Sequence, residues 1–340
     1  MRSALIVLGA LAIVVAAVLT GTFAPHVAAA TGPIPLNCNR ACLEDLVTQY
    51  LAALVAHDPK RLPLSADAMY TENDQTIEVG DGFWKTAEAV GNYKHYFADP
   101  EFGQVVFMGT MREAGAALLM SLRLRVELGR ISEIESIYYR QGGGGPSGIA
   151  DMDKPGYKPE DIWFKSIAPA QQRSRQEMIA IADGYFTGLQ KNDGKGINGT
   201  GTYPFTNDCH RIENGAPTTN VPRPPNQPAD AINAFSMDCL SQFKLGYYFV
   251  VQSIHHRRYP VVDMERGVVW SHAVFDQGTV NEGTLSDGRK YTFKGFNRPS
   301  SSLVTEAFLI ENGKIRRVEM IGPSVTYHLT SPWPGGLSGR

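Results

Sequence analysis

Net charge is nearly absent from this chain: 32 lysines and arginines stand against 34 aspartates and glutamates over 340 residues, a balance of −2. So even a balance excludes the basic stripe that a nucleic acid or an anionic membrane surface requires. Cysteine is scarce, with four residues, and they form no CxxC pair; the histidines form no HxxxH. No metal site is therefore expected. GxSxG, a P-loop, the dinucleotide-binding glycine fingerprint and HExxH are all missing, which removes the serine hydrolases, nucleotide-binding enzymes and zincins that depend on them. Beyond the N-terminus no uncharged run is long enough to span a bilayer. With 43% hydrophobic and 19% charged residues, the chain is neither disordered nor a coiled coil.

What is present begins with a targeting pattern. Arg2 precedes an uncharged Ala/Leu/Ile/Val run from Ala4 to Leu19, and Ala28-Ala29-Ala30 fits a cleavage site after residue 30. An uncleaved anchor is the competing reading. Residues 1–30 are read as a signal peptide, and the mature protein as secreted or periplasmic, free of the membrane once the segment is removed. In an oxidising compartment an even cysteine count reads as disulfides. The expected bridges are Cys38–Cys42, at the start of a helix, and Cys209–Cys239, flanking a Pro-rich excursion. Zinc is the alternative for these cysteines, disfavoured by their spacing.

The mature chain reads as one unit written twice. Each copy opens with an amphipathic helix: LEDLVTQYLAALVAHDP in the first, QEMIAIADGYFTGLQKND in the second. Each then shows a short strand and turn. A second helix follows, TAEAVGNYKHYF in the first copy and the longer MDCLSQFKLGYYFVVQSIHH in the second, and then strand-like runs. The closing hairpins align position by position, VELGRISEIESI (126–137) against IENGKIRRVEMI (310–321). The expected layout is domain 1 at 38–140, a Gly/Pro-rich linker at 141–170, domain 2 at 171–327 with a Pro-rich insertion, and a tail at 328–340.

Helix, helix, then a curved antiparallel sheet ending in such a hairpin resembles the cone-shaped α+β fold of the nuclear transport factor 2-like (NTF2-like), or SnoaL-like, superfamily. More narrowly, the chain looks like secreted tandem SnoaL-like proteins. The resemblance rests on CNRACLEDLVTQYLAALVAHDP, YTEN, VGDGFW, YKHYFADP and GQVVFMGT in the first copy, and on CHRIENG and RRYPVVDMERGVV in the second. It implies a deep, mostly apolar cavity between helices and sheet. The superfamily's enzymes are isomerases, dehydratases, cyclases, dehydrohalogenases and epoxide hydrolases, mostly without metal or organic cofactor. It also includes pure binding modules, so fold alone does not decide function. Single domains of this kind pair through their sheets, so the two copies are expected to form an intramolecular pseudo-dimer, with a homodimer allowed.

Two classes of function follow. The first is a cofactor-independent lyase, isomerase or hydratase working by acid–base catalysis on a small organic or sugar-derived substrate. The second is a non-catalytic small-molecule binding or scaffold protein. In the first copy His95 and Glu72 form the expected catalytic pair, a proton shuttle beside a carboxylate. Tyr50, Asn73, Trp84 and Tyr93 are expected to line the substrate cavity, and Arg112 to bind an anionic or polyol group at its mouth. In the second copy Asp208, His210, Arg211 and Glu213 lie on the strand and turn, and His272 is the favoured pocket residue. His255, His256, Arg257 and Arg258 are read as the end of a helix, with Arg258 paired to Asp263. Counting back from the turns places Glu133 and Glu135 opposite Leu124 and Leu122, and Glu319 opposite Glu306. The first copy is expected to be the working half, because the second is interrupted by its insertion.

Overall fold

The computed structural model describes residues 38–228 and 231–334; the signal-peptide reading falls outside them. The first half comprises helix α1 (Arg40–Val55) and strands β1 (Leu64–Glu72), β2 (Gln75–Thr76), β3 (Ala87–Asp99), β4 (Gln104–Glu113), β5 (Ala116–Glu127) and β6 (Arg130–Arg140). A short helix α2 (Ile149–Met152) lies in the connection. The second half comprises α3 (Arg175–Leu189), β7 (Phe205–Glu213), β8 (Ala216–Pro217), α4 (Cys239–Lys244), β9 (Val251–Asp263), β10 (Val268–Gln277), β11 (Glu282–Thr284), β12 (Lys290–Thr292), β13 (Ser300–Glu311), β14 (Lys314–Ile321) and β15 (Ser324–Val325).

The long helices form where capping and periodicity agree. Asn39 accepts the Cys42 N–H at 3.1 Å, and Leu43, Leu46, Val47, Tyr50, Leu51 and Leu54 turn one apolar face of α1 onto the sheet. Ser174 and Glu177 close a capping box on α3. The sheets have the same strand order, β2-β1-β6-β5-β4-β3 and β8-β7-β14-β13-β10-β9. The fold is thus α+β, two tandem cones in each of which a helix packs on a curved, mostly antiparallel sheet.

Both expected second helices are corrected. The segment read as TAEAVGNYKHYF is strand β3, where Tyr93, His95 and Phe97 are buried and Lys94 is exposed. Its aromatics repeat every second residue, so one face of a strand collects all three. Of the segment MDCLSQFKLGYYFVVQSIHH, Cys239–Lys244 is α-helical. Gly246 adopts φ +70° and ends it, and the β-branched run beyond becomes β9.

Both closing hairpins carry a bulge at the same place. Val126 faces Ile131 but Arg125 faces Glu133; Ile310 faces Ile315 but Leu309 faces Arg317. The extra residue shifts every later pair by one. Glu135 therefore faces Arg123, and Glu319 faces Ala307, not Glu306.

The sheets face each other. One apolar core takes Tyr93, Phe97, Met108 and Leu119 from the first and Val261, Trp270, Leu309 and Ile321 from the second, with Trp163 of the connection sealing it. A reciprocal clasp locks the edges. Asp99 accepts the Val262 N–H at 2.9 Å and pairs with Arg175 at the head of α3. Asp263 accepts the Ala98 N–H at 3.1 Å and pairs with Arg40 at the head of α1. That replaces the Arg258–Asp263 pair expected from sequence. The described part of the expected tail, residues 328–334, is built into the fold: Trp333 is buried, and its indole N–H donates to Thr71 at 3.1 Å.

Both expected disulfides form, Cys38–Cys42 and Cys209–Cys239. The second closes a 30-residue separation. In the chain-entropy picture, its removal costs about 3–4 kcal/mol. The Cys209→Ser/Cys239→Ser variant should lose about that much in urea denaturation, and an unchanged midpoint would refute this role.

Candidate functional site

The interior of the first cone is filled. Tyr50, Tyr70, Phe83, Trp84 and Tyr138 are each at most 1% exposed, and Tyr50 packs edge-on to Trp84 at 5.2 Å. Glu72 enters this core, takes the Tyr70 hydroxyl and accepts the Phe83 N–H at 2.7 Å. Burial raises its carboxyl above the usual range. Asn73 is a turn residue at φ +47° whose side chain accepts the Tyr138 N–H at 2.8 Å.

The structure does not bring His95 to Glu72. The two side chains lie on opposite faces of the first sheet. His95 points to the second half, where its ring meets Tyr93, Phe97 and Trp163. Tyr93 donates to Glu319 at 2.7 Å, and His95 Nδ1 lies 3.7 Å from the same oxygen. Burial pushes His95 down to about 3 and Glu319 up to about 7. Arg112 reaches Asp153 at 2.6 Å and the Gly115 carbonyl at 2.8 Å, a strand end tied to the connection. His272 likewise faces the other half, against Asp74 at 3.0 Å and Glu135 at 3.8 Å. Tyr93, His95, Arg112 and His272 thus find other partners than Glu72.

A partly open cavity lies in the second cone. It measures about 220 Å³ and lies between α3, β7, β13 and the segment after α4. Its floor carries Tyr185, Arg211, Glu213 and Glu306. Its roof comes from outside the sheets: Gly144–Pro146 of the connection, Phe235 of the Pro-rich insertion, and Phe293 and Phe296 beyond β12. Gln242 fixes the insertion by donating to the Thr218 and Ala234 carbonyls.

Arg211 organises the polar floor. Its Nη1 donates to Gln242 at 2.8 Å and to the Tyr248 hydroxyl, and its Nη2 donates to Glu213 Oε1 at 2.6 Å. Its guanidinium also lies 5.1 Å from the Tyr248 ring centre and 5.6 Å from that of Tyr185. Thr218 adds a second hydrogen bond to Glu213 Oε1 at 3.1 Å. Glu306 sits across the floor, 2% exposed. Burial pushes its carboxyl up to about 8, against the opposing pull of Arg211. Arg211 Nε is buried without a hydrogen-bond partner, and the Tyr185 hydroxyl and Glu306 Oε2 are buried near each other without a well-aligned bond. Buried polar groups are rarely left so, and a ligand oxygen would satisfy them.

Arg211 and Glu213 were visible in the sequence as part of a charged strand and turn. Glu306 was visible only through a wrong pairing, and Tyr185 only as part of an amphipathic helix. Alternation along β13 was the available signal: Val304, Glu306 and Phe308 share one face, an acid between core residues.

No curated protein matches the chain. Among solved structures it is similar to an NTF2-like protein of unknown function from Cytophaga hutchinsonii, at 16% identity over 28% of this chain and 89% of that one, with a TM-score of 0.25. It is also similar to a protein of unknown function with a cystatin-like fold from Methylobium petroleophilum, at 14% identity over 34% and 86%, TM-score 0.28. A third is a hypothetical protein with a ketosteroid isomerase-like fold from Catenulispora acidiphila, in complex with trimethylamine, at 17% identity over 32% and 92%, TM-score 0.21. Likenesses this distant assign no activity. Residues 37–138 and 171–322, one stretch in each half, match a single family, and the chain belongs to it: Domain of unknown function (DUF8021).

Proposed function

We propose that the protein is an exported enzyme that moves a proton on a small, largely apolar molecule carrying a carbonyl oxygen, in the cavity of its second half. Of the lyase, isomerase and hydratase classes, isomerisation by way of an enol fits the residues best. The observation that carries this reading is the set of buried polar atoms on Arg211, Tyr185 and Glu306 without a well-aligned partner in one aromatic-walled cavity.

The two acids of the floor have different surroundings. Glu306, apolar on most sides, is protonated at neutral pH and donates to the substrate oxygen. Glu213 pairs with Arg211 through Oε1, leaving Oε2 free to accept a proton from the carbon next to the carbonyl. Arg211 Nε–H and the Tyr185 hydroxyl then stabilise the charge that develops on oxygen. Where the substrate carries a β,γ double bond, return of the proton at the γ carbon completes an isomerisation without a cofactor. Export is supported by two disulfides and by the leader-like N-terminal sequence. Among the described residues no helix is long and apolar enough to cross a membrane.

The test is an untargeted comparison of metabolites incubated with the protein in D₂O. Wild type should place deuterium in, or convert, one small carbonyl compound, and Glu306→Gln and Glu213→Gln should not. Retention of a compound with neither exchange nor conversion would refute catalysis and leave the carrier reading.

A further inference from the structure

A second constellation lies on the other face of the second sheet, and the mechanism above does not use it. Asp276 follows Phe275 and precedes Gln277 on β10. Those two neighbours face the cavity, so Asp276 points away from it. Its carboxylate meets two imidazoles. His328 Nδ1 lies 2.6 Å from Oδ2, and His255 Nε2 lies 3.3 Å from the same oxygen. We propose that His255, Asp276 and His328 form a binding site for a divalent transition ion of the zinc type, separate from the cavity.

The strand is bent to make this cluster. His256 adopts φ +51°, and the pairing of β9 with β10 slips there, from His272–Arg258 to Val274–His255. In a regular strand residues 255 and 258 would lie on opposite faces. The bulge puts both on the face of His272, Val274 and Asp276. The third ligand is delivered by the C-terminal segment. β15 pairs with β13, and the His328 N–H donates to Ser301 Oγ at 2.8 Å.

The three ligand atoms lie within 4.8 Å of one another; His255 and Asp276 already have the spacing of a metal site, and the His328–Asp276 hydrogen bond would give way to the ion. His255 Nε2 is buried and has no hydrogen-bond partner, although it is 3.3 Å from Asp276 Oδ2. The distance is short enough for a bond and the direction is wrong. With metal–ligand distances of about 2.0–2.1 Å, the edge of a tetrahedral site is about 3.3 Å. Outer contacts are present as well. His255 Nδ1 lies 2.6 Å from His256 Nδ1, which fixes the ring, and Ser301 holds Asp276 Oδ1 at 2.6 Å. Two nitrogens, one oxygen and the exposed side of His328 leave a coordination position open to water.

The buried group Asp74, Glu135 and His272 is a different case. Arg123 and Arg258 both bond Glu135, and a cation there would sit against two guanidinium groups.

Titration of the full chain with Zn²⁺, and with Co²⁺ to read d–d absorption, tests the site. One equivalent per chain is expected, with Co²⁺ bands of a low-coordinate N/O site and a higher melting temperature. His328→Ala should abolish the bands and the thermal shift. Its ring is 65% exposed, so the fold tolerates the change. His256→Ala should weaken binding by roughly 10- to 100-fold. Absence of stoichiometric binding in wild type, or binding that His328→Ala leaves unchanged, overturns the proposal. Deuterium exchange in the cavity reads the other site independently.

Discussion

Glu306→Gln is expected to slow turnover by about 10²- to 10⁴-fold while making the protein more stable at pH 8. Loss of activity alone would be uninformative, since any damaged fold loses activity. Here the two effects have opposite signs. Burial raises the folded carboxyl to about 8 from an ordinary value of 4.5. Between those values the folded chain holds a proton that the unfolded chain has released, so stability falls as pH rises through this window. The raised pKa corresponds to on the order of 4 kcal/mol at pH 8. Glutamine keeps the shape and has no charge to bury, so it should remove this slope. Glu319, pushed up to about 7, leaves a smaller slope of the same sign. Urea denaturation of wild type and variant at pH 5 and pH 8 reads the difference. Equal pH dependence in the two proteins would show that Glu306 is not buried as described.

Glu135→Gln should be the most damaging single substitution between the halves, at about 3–5 kcal/mol near neutral pH. Glu135 is fully buried, bonds Arg123 at 2.7 Å within its own sheet, and bonds Arg258 of the other. Desolvation opposes its ionisation, but Arg258, Arg123 and His272 together hold the carboxyl down to about 2. Removing the charge strands the buried Arg258 guanidinium and leaves Arg123 with Glu133 as its one carboxylate, and Trp333 covers both arginines from outside. A depressed acid stabilises above its unfolded pKa. The gap between wild type and variant should therefore be full above about pH 4.5 and close as pH falls toward 2. Glu319→Gln is the internal control. It occupies the same place in the duplicated hairpin, has no cation against it, and is near-neutral at pH 6, so the change should cost about 1 kcal/mol or less. Equal losses at Glu135 and Glu319 would refute this account.

That pair of glutamates also marks what sequence could and could not tell. The duplication, the opening helices and both disulfides follow from periodicity, spacing and hairpin chemistry, and the paired sheets from the family resemblance. The strand identity of β3 and β9 was hidden because Tyr93, His95 and Phe97 sit in a segment whose Ala and Glu suit a helix equally well. Facing within each closing hairpin was hidden by one extra residue, a bulge that propensity does not announce. Both errors act on the site. Reading β3 as a helix let His95 share a cavity with Glu72, when a sheet separates them. Counting across the second hairpin without its bulge set Glu306 against Glu319, when one faces a cavity and the other the partner half. The function proposed above lies in the second half and not in the expected first half, and the difference is one of packing. Tyr50, Tyr70, Trp84 and Tyr138 looked like cavity walls and instead fill the cone. The insertion that seemed to interrupt the second half roofs its cavity. His328 was missed because the residues after 327 read as a tail.

The clasp at Asp99 and Asp263 has a consequence for the newborn chain. Asp99 leaves the ribosome about 160 residues before the Val262 N–H that it holds, and at about 5–20 residues per second the interval is on the order of ten seconds or more. Throughout that time the outer face of the first sheet, with Tyr93, Phe97, Met108 and Leu119, has no cover. A chain that reached its destination before folding would bring both faces together at once. For a protein built this way, delaying the first fold protects the second.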